Sequence, residues 1–373
     1  VNTPSPTTPY LWVDNPATLT EALTPLNAEQ ALAVDTEADS LHHYRESLCL
    51  VQISQNHQHF LVDPLAEYDL SPLWQHFSKS LIILHGADYD LRLLRRAGAP
   101  PPRDVFDTQL AAQLVGHSAF GYAALVNHYF GETLCKASQT EDWSQRPLPE
   151  KMLDYAVQDT RYLEAMREKL LAELTALGRV EWHRQSCQRV MRSSLVDRPD
   201  DPDNDWQITG AMHLSGPARA ILKSLWHWRE AEAERSDLPP FKIMVNEKLV
   251  GLADWTEHHH FQSSLPPAFR WRYPRPDREK RVLAAMTEGK AAEPIPPPPK
   301  GKRPPREPQF DIRFEKFKAR RDQQAKELKL DPSFLAAKST LIEISRDPAH
   351  ADHLIAQDRW CQWQWDLLKD ALT

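Results

Sequence analysis

The sequence predicts an α/β domain followed by one or two small all-α domains. Three observations carry this. Short apolar runs alternate with amphipathic runs between residues 10 and 195. An acid- and proline-rich stretch, "SLVDRPDDPDND", then breaks the pattern. Beyond Trp206 the apolar periodicity is almost entirely that of helices. Strands that feed directly into helices argue for a sheet covered by helices, and the break reads as a linker.

In order along the chain, "ALAVDTEAD", "LCLVQIS" and "HFLVD" are β-type runs. "LIILHG" is a fourth and runs at once into the helical "DYDLRLLRRAG". "DVFDTQ" leads into the helical "LAAQLVG". The run "RPLPEKMLDYAVQDTRYLEAMREKLLAEL" reads as one long helix. Tyr155 and Asp159 lie one turn apart on one of its faces. In the helical part, Ser215 is an expected N-cap, with Pro217 in the first turn of "SGPARAILKSLWHWREAEAERSD". Four segments result: 10–195, 206–290, a proline-rich basic linker over 291–309, and 310–373. The segments 206–290 and 310–373 share an order of long helix, proline turn and apolar helix, a weak sign of a repeat.

Composition narrows the function classes. With 41% hydrophobic residues in 373, the chain can bury a sizeable core. No run approaches the roughly 20 apolar residues of a membrane span, and "VNTPSPTTPY" has no secretory pattern. Four scattered cysteines without a CxxC pair fit a reducing cytoplasm. Net charge is −7, but residues 1–195 hold 16 Lys+Arg against 24 Asp+Glu, while 196–373 hold 29 against 28. An acidic site that needs cations, ahead of a locally basic half, is one source of such a split, and ordinary surface variation is the other.

Four acids then stand out. Asp35 and Glu37 alternate along a strand and leave the same face. Asp90 opens a helix at the end of the strand "LIILHG", and Asp159 lies on the later helix. Clustered carboxylates repel and take up protons unless cations neutralise them. Oxygen-only ligand sets suit Mg²⁺ or Mn²⁺, and two such ions about 4 Å apart suit in-line phosphoryl displacement.

These residues resemble ribonuclease D and its relatives, the DEDD 3′–5′ exonucleases with an RNase H-like fold. "VDTEADSLHHYRESLCLVQIS", "HGADYDLRLL" and "YAVQDTRYL" are similar to the three exonuclease motifs, in the right order. "CKASQTEDWSQRPLPEKMLDYA" is similar to the segment before the third. The resemblance implies a central mixed sheet flanked by helices. It implies Asp35, Glu37, Asp90 and Asp159 as ligands of two divalent cations, with Tyr155 holding the attacking water. Asp154 stands where a sister branch has histidine, which places the chain in the tyrosine branch. The implied activity is removal of 3′-terminal nucleotides as 5′-monophosphates from RNA with a free 3′ end, tRNA precursors among them. Related DNA exonucleases and a non-catalytic nucleic-acid scaffold are the alternatives. No membrane or protein partner is implied.

His85, Lys136, Gln139, Trp143 and Arg146 lie in the resembling segments and are candidates for substrate contact. The competing reading is local packing, and for His85 a satisfied core histidine. Asp107 reads as a helix N-cap, and His258–His260 as a surface turn rather than a metal site. "LSGPARAILKSLWHWREAEAERSDLPPFKIMVNEKLVGLA" resembles an HRDC domain, a helical module associated with nucleic-acid binding, and 310–373 resembles a second copy. From Lys300 to Lys329 there are 11 Lys+Arg against 5 Asp+Glu, a stripe that suits either a phosphate backbone or solvent. Trp360, Trp363 and Trp365 look like stacking residues, but Trp360 and Trp363 share a face with Leu367 and are expected in a core.

Overall fold

A computed structural model describes residues 8–134, 138–197, 201–260, 264–273, 275–297 and 308–371. They form two units. The first gathers the described residues within 1–38, 47–197 and 304–373, and the second those within 39–46 and 198–303.

The first unit is built on a mixed six-stranded sheet of β1 (Leu11–Val13), β2 (Ala31–Ala38), β3 (Leu48–Gln55), β4 (Gln58–Val62), β5 (Leu81–Leu84) and β6 (Asp104–Asp107). Their order across the sheet is β1-β4-β3-β2-β5-β6. β2 pairs antiparallel with β3 and parallel with β5, so both its edges are covered. β6 continues the parallel half, and the C-terminal ends of β2, β5 and β6 therefore share one edge. Open α/β sheets bind ligands at such an edge.

Helices α1 (Pro16–Leu23), α2 (Ser71–Lys79), α3 (Asp88–Arg96), α4 (Thr108–Val115), α5 (Tyr122–Phe130), α6 (Glu150–Arg161), α7 (Leu163–Ala176) and α8 (Val180–Ser193) surround the sheet. The single helix expected from Pro149 onward is two, broken at Tyr162 (φ −99°, ψ −7°). The reason is that the two halves fill different cores. α6 buries Met152, Ala156 and Val157 with Leu50 and Leu61 of the sheet. α7 buries Leu163, Met166, Leu170 and Leu174 with Ala33, Ile83 and Phe106.

The second unit comprises α9 (Gly216–Ser236), α10 (Pro240–Ile243), α11 (Asn246–His258) and α12 (Pro276–Ala291). Ser215 caps α9 as expected, accepting from Ala218 N at 3.2 Å. α9 and α12 approach so closely at Gly289 that a Cβ there would lie 2.6 Å from Ile221 Cα. Buried Glu232 receives Arg278, Arg281 and Arg235, which compensates its desolvation. Residues of the β2–β3 connection belong to this unit: Asp237 accepts from Tyr44 N at 3.1 Å and pairs with His43 Nδ1 at 2.7 Å. His258 ends α11 on the surface, and His259 stacks on Trp255. Asp254, Glu257 and His258 lie together there, an ordinary arrangement of polar groups one turn apart on a helix surface.

The C-terminal helices are α13 (Pro308–Leu328), α14 (Pro332–Leu335), α15 (Lys338–Arg346), α16 (His350–Ala356) and α17 (Gln362–Leu368). α13–α14–α15 repeat the order of α9–α10–α11. In both, an arginine of the long helix donates to a carbonyl 15 residues on: Arg229 to Met244 O, and Arg321 to Ala336 O. The segment 310–373 is not a separate body, however, because it is folded into the first unit. Trp363 stacks on Trp182 with centroids 4.8 Å apart, and its Nε1 donates to Ser186 Oγ. The helix expected around the tryptophans is interrupted, so Trp360 precedes α17 and donates to Leu335 O. Trp360 and Trp363 are both 3% exposed, core residues as expected, but in different clusters. The linker from 298 to 307 lies outside the described residues.

Trp363→Ala should cost about 3–5 kcal/mol of stability, the range for an aromatic truncated in a packed core. Urea unfolding followed by tryptophan fluorescence measures it. A change under 1 kcal/mol would mean that the C-terminal seam contributes little.

Candidate active site

β2 sets the site. Its alternation sends Asp35 and Glu37 to one face, with Thr36 between them. α6 crosses that face and carries Tyr155 and Asp159 one turn apart. Carboxylate oxygens of Asp35, Glu37 and Asp159 all lie within 4.8 Å of one another. The fourth acid, Asp90, stands in the first turn of α3, where β5 ends. Thr36 Oγ1 donates to Asp90 Oδ1 at 2.5 Å, so the residue between the two strand acids holds the fourth acid. The Tyr155 hydroxyl donates to the Asp159 carboxylate.

Other side chains fix the elements that bring these groups together. Asp107 is the expected N-cap of α4, accepting from Gln109 N and Leu110 N. It also accepts from Gly86 N (3.0 Å) and Ala87 N (2.9 Å), and so secures the turn into α3. Gly86 holds that turn at φ +80°, a conformation that costs glycine little. The Tyr122 hydroxyl donates to Gln158 O, one residue before Asp159. Ser54 Oγ lies 2.6 Å from both Thr160 Oγ1 and His59 Nδ1, which ties α6 to β3. Of Thr36, Tyr122 and Ser54, only Thr36 leaves a signal in the sequence, its place inside the D-x-E pair.

Crowding and burial push all four acids up. Asp35 is held well above the carboxylate range by burial first, then by repulsion from Asp90, Asp159 and Glu37. Burial, then Asp159 and Asp90, raises Glu37 to about 9. Asp90 and Asp159 rise to about 7, chiefly by burial, against opposing hydrogen bonds from Thr36 and Tyr155. Burial followed by the charges of Asp159, Glu37 and Asp35 raises Tyr155 as well, so it stays protonated at neutral pH. A set of oxygen donors that repel in the absence of counter-charge matches hard divalent cations and no softer metal.

The residues expected at the substrate fall in different places. His85 Nδ1 lies 2.9 Å from Thr108 Oγ1, and its ring is 5.6 Å from that of Tyr122. Gln139 is exposed in a turn, and Lys136 lies outside the described residues. The other two face inward, which corrects the expected contact. Trp143 is 1% exposed and packs behind Tyr155 at 6.1 Å, so no base can stack on it. Arg146 donates to Asp63 at 2.6 and 2.7 Å and to the carbonyls of Trp143, Gln145 and Cys49. Its guanidinium is used up inside the fold and has no donor left for a phosphate.

Comparison with known proteins places this chain in a family. Residues 10–175 match the 3′-5′ exonuclease domain family and 218–254 the HRDC domain family. A ribonuclease D of Xanthomonas oryzae pv. oryzae is 32% identical over 248 residues, covering 65% of this chain and 67% of that one. The chain belongs to the ribonuclease D family. A ribonuclease D of Sphingobium indicum is 34% identical over 227 residues, 60% of this chain but only 58% of that relative. Among solved structures, Escherichia coli RNase D, an exoribonuclease involved in structured RNA processing, superposes with TM-score 0.68 over 97% of this chain and 99% of its own at 23% identity, a likeness of fold. The catalytic core of RRP6 from Trypanosoma brucei superposes with TM-score 0.62 over 77% of this chain and 82% of its own, at 25% identity. The mixed sheet and the helical module are thus those of the ribonuclease D fold.

The raised acids give this ribonuclease D relative an unusual pH dependence without metal. The unfolded chain releases these protons near 3.8 to 4.5, whereas the folded chain holds them to about 7 at Asp90 and Asp159 and about 9 at Glu37. The folded state binds more protons between those limits, so stability falls as pH rises. In EDTA the melting temperature should be highest near pH 4 to 5 and fall toward pH 9. Mg²⁺ or Mn²⁺ should restore it at the alkaline end. A melting temperature that rises from pH 5 to 9 in EDTA would contradict the charge crowding.

Proposed function

We propose that this chain is a metal-dependent 3′–5′ exoribonuclease of ribonuclease D type. It releases 3′-terminal nucleotides as 5′-monophosphates from RNA with a free 3′ end, tRNA precursors and other structured RNAs being the expected class. The observation that carries this reading is the convergence of Asp35, Glu37 and Asp159 within 4.8 Å, beside Asp90 and Tyr155, in a chain of this family. Asp35, Glu37, Asp90 and Asp159 would hold two divalent cations, Mg²⁺ or Mn²⁺, which supply an acidified water and neutralise phosphate charge.

The chain's own groups account for the rest. Tyr155 spends its proton on Asp159, so its oxygen is free to accept from the attacking water and aim it at the phosphorus. Its raised pKa excludes it as the base. Water adds to phosphorus, the bond to the upstream 3′ oxygen breaks, and that oxygen leaves as a hydroxyl. Residues 10–195 carry this chemistry, and the helical module at 206–290 adds RNA affinity. The 310–373 segment serves as part of the scaffold. Gln139 and Lys136 remain candidates for backbone contact. A reducing cytoplasm fits the buried thiols Cys49, Cys187 and Cys361.

With a 3′-labelled RNA and Mg²⁺ or Mn²⁺, the wild-type protein should release labelled mononucleotide. Asp35→Ala should lower the rate by about two to three orders of magnitude, the scale of losing one preorganised charged group. Equal release by both, or faster release from DNA of the same sequence, would defeat the assignment. Tyr155→Phe should keep the fold and slow hydrolysis by about 10²-fold. An unchanged rate would return Tyr155 to a packing role.

A further inference from the structure

The face of the sheet that carries Asp35 contains a second polar side chain that nothing in the fold explains. Gln52 of β3 is the antiparallel partner of Asp35 in register, so the two side chains leave the same face side by side. Gln52 is 0% exposed, and neither its Nε2 nor its Oε1 has a hydrogen-bond partner among the described residues. Away from Asp35 its surroundings are apolar: Leu61 is its partner on β4, and Leu50 and Leu61 pack under α6. The next inward residue on the same stripe, Ser54, is fully engaged with Thr160 and His59. A buried primary amide with both atoms unsatisfied costs stability that leucine or methionine would not. Such a local violation points to a function that supplies the missing partner.

The neighbouring strand end repeats the observation. The β2–β5 register runs to Ala33 opposite Ile83, and His85 follows β5 one residue beyond Leu84. The Thr108 hydroxyl donates to Leu84 O at 2.9 Å, so His85 Nδ1 must be the donor to Thr108, and Nε2 carries the lone pair. That Nε2 is also buried without a partner among the described residues. Gln52 and His85 thus both carry buried polar atoms whose hydrogen bonds are incomplete among the described residues.

We infer that Gln52 is a positioning residue for Asp35. Its amide N–H₂ bonds the Asp35 carboxylate in the cation-loaded state and fixes which oxygen faces the metal. A charged carboxylate is the acceptor that an unpaired amide donor lacks, and hydrogen bonds to metal-binding carboxylates commonly tune affinity. The inference rests on the proposed metal site and adds a residue to it. The amide bonds no other group among the described residues, so replacing it should do no harm to the fold when cations are withheld.

The test compares Gln52→Met and Gln52→Leu with wild type in two measurements: melting in EDTA, and Mn²⁺ binding by titration calorimetry. The variants should melt in EDTA at or above the wild-type temperature, yet bind Mn²⁺ at least about tenfold more weakly. The melting-temperature rise given by Mn²⁺ should shrink accordingly. Wild-type Mn²⁺ affinity in both variants overturns the inference. So does failure of both to fold without metal, because the amide would then be structural. If wild type itself binds no Mn²⁺, the metal-site reading fails first and takes this one with it.

Discussion

Mutual repulsion among four carboxylates at the C-terminal edge of β2 is the constraint on which the rest of the molecule depends. Like charges this close, in a half-buried pocket, resist being gathered. Something rigid must hold them until a counter-charge arrives. β2 lies in the middle of the sheet, paired on both sides, and cannot yield. The two acids on it are therefore fixed first, and the problem reduces to bringing Asp90 and Asp159 to them.

Each of those two is delivered by a helix whose end is tied at several points. Asp107 gathers four backbone N–H groups from two segments, and so locks the entry to α3 to the entry to α4. Ser54, Thr160 and Tyr122 hold α6 from below and from the side. The break at Tyr162 belongs to the same design. A straight helix could not seat Ala156 and Val157 over the antiparallel half of the sheet and also Met166 and Leu170 over the parallel half. The angle at which Asp159 meets the strand acids is thus set by packing in two cores. Trp143 and Arg146 serve this packing: one backs Tyr155, and the other clips its loop to Asp63.

This division of labour explains what the sequence could and could not reveal. Asp35 and Glu37 were legible from a period of two, and Tyr155 and Asp159 from a period of four, because both are local. Their convergence was legible only through motif order, which stands in for the tertiary fold. Thr36 reaches a partner 54 positions away, and Gln52 matters through its register with Asp35, so no local pattern announces either. Trp143 and Arg146 failed the other way. Their residue types suit nucleic acid, but whether a loop side chain faces in or out depends on what lies beneath it. The helical modules were legible as helices, while the seam between Trp182 and Trp363 was not, since an exposed stripe and a docked stripe look alike in sequence.

That seam has a consequence for how the molecule is made. The core beneath the parallel half of the sheet draws on Ala33, Ile83, Met166 and Leu170, and also on Leu330, Leu335 and Trp363. The bond from Trp363 to Ser186 spans 177 residues, and the whole helical second unit is synthesised in between. A ribosome therefore finishes every acid of the site long before it finishes the core that steadies them. Until α17 emerges, Trp182 lacks its stacking partner and the nascent chain carries an uncovered apolar face. The order of synthesis thus separates the appearance of the reactive groups from the completion of their scaffold, and an interrupted chain bears a visible mark of being unfinished.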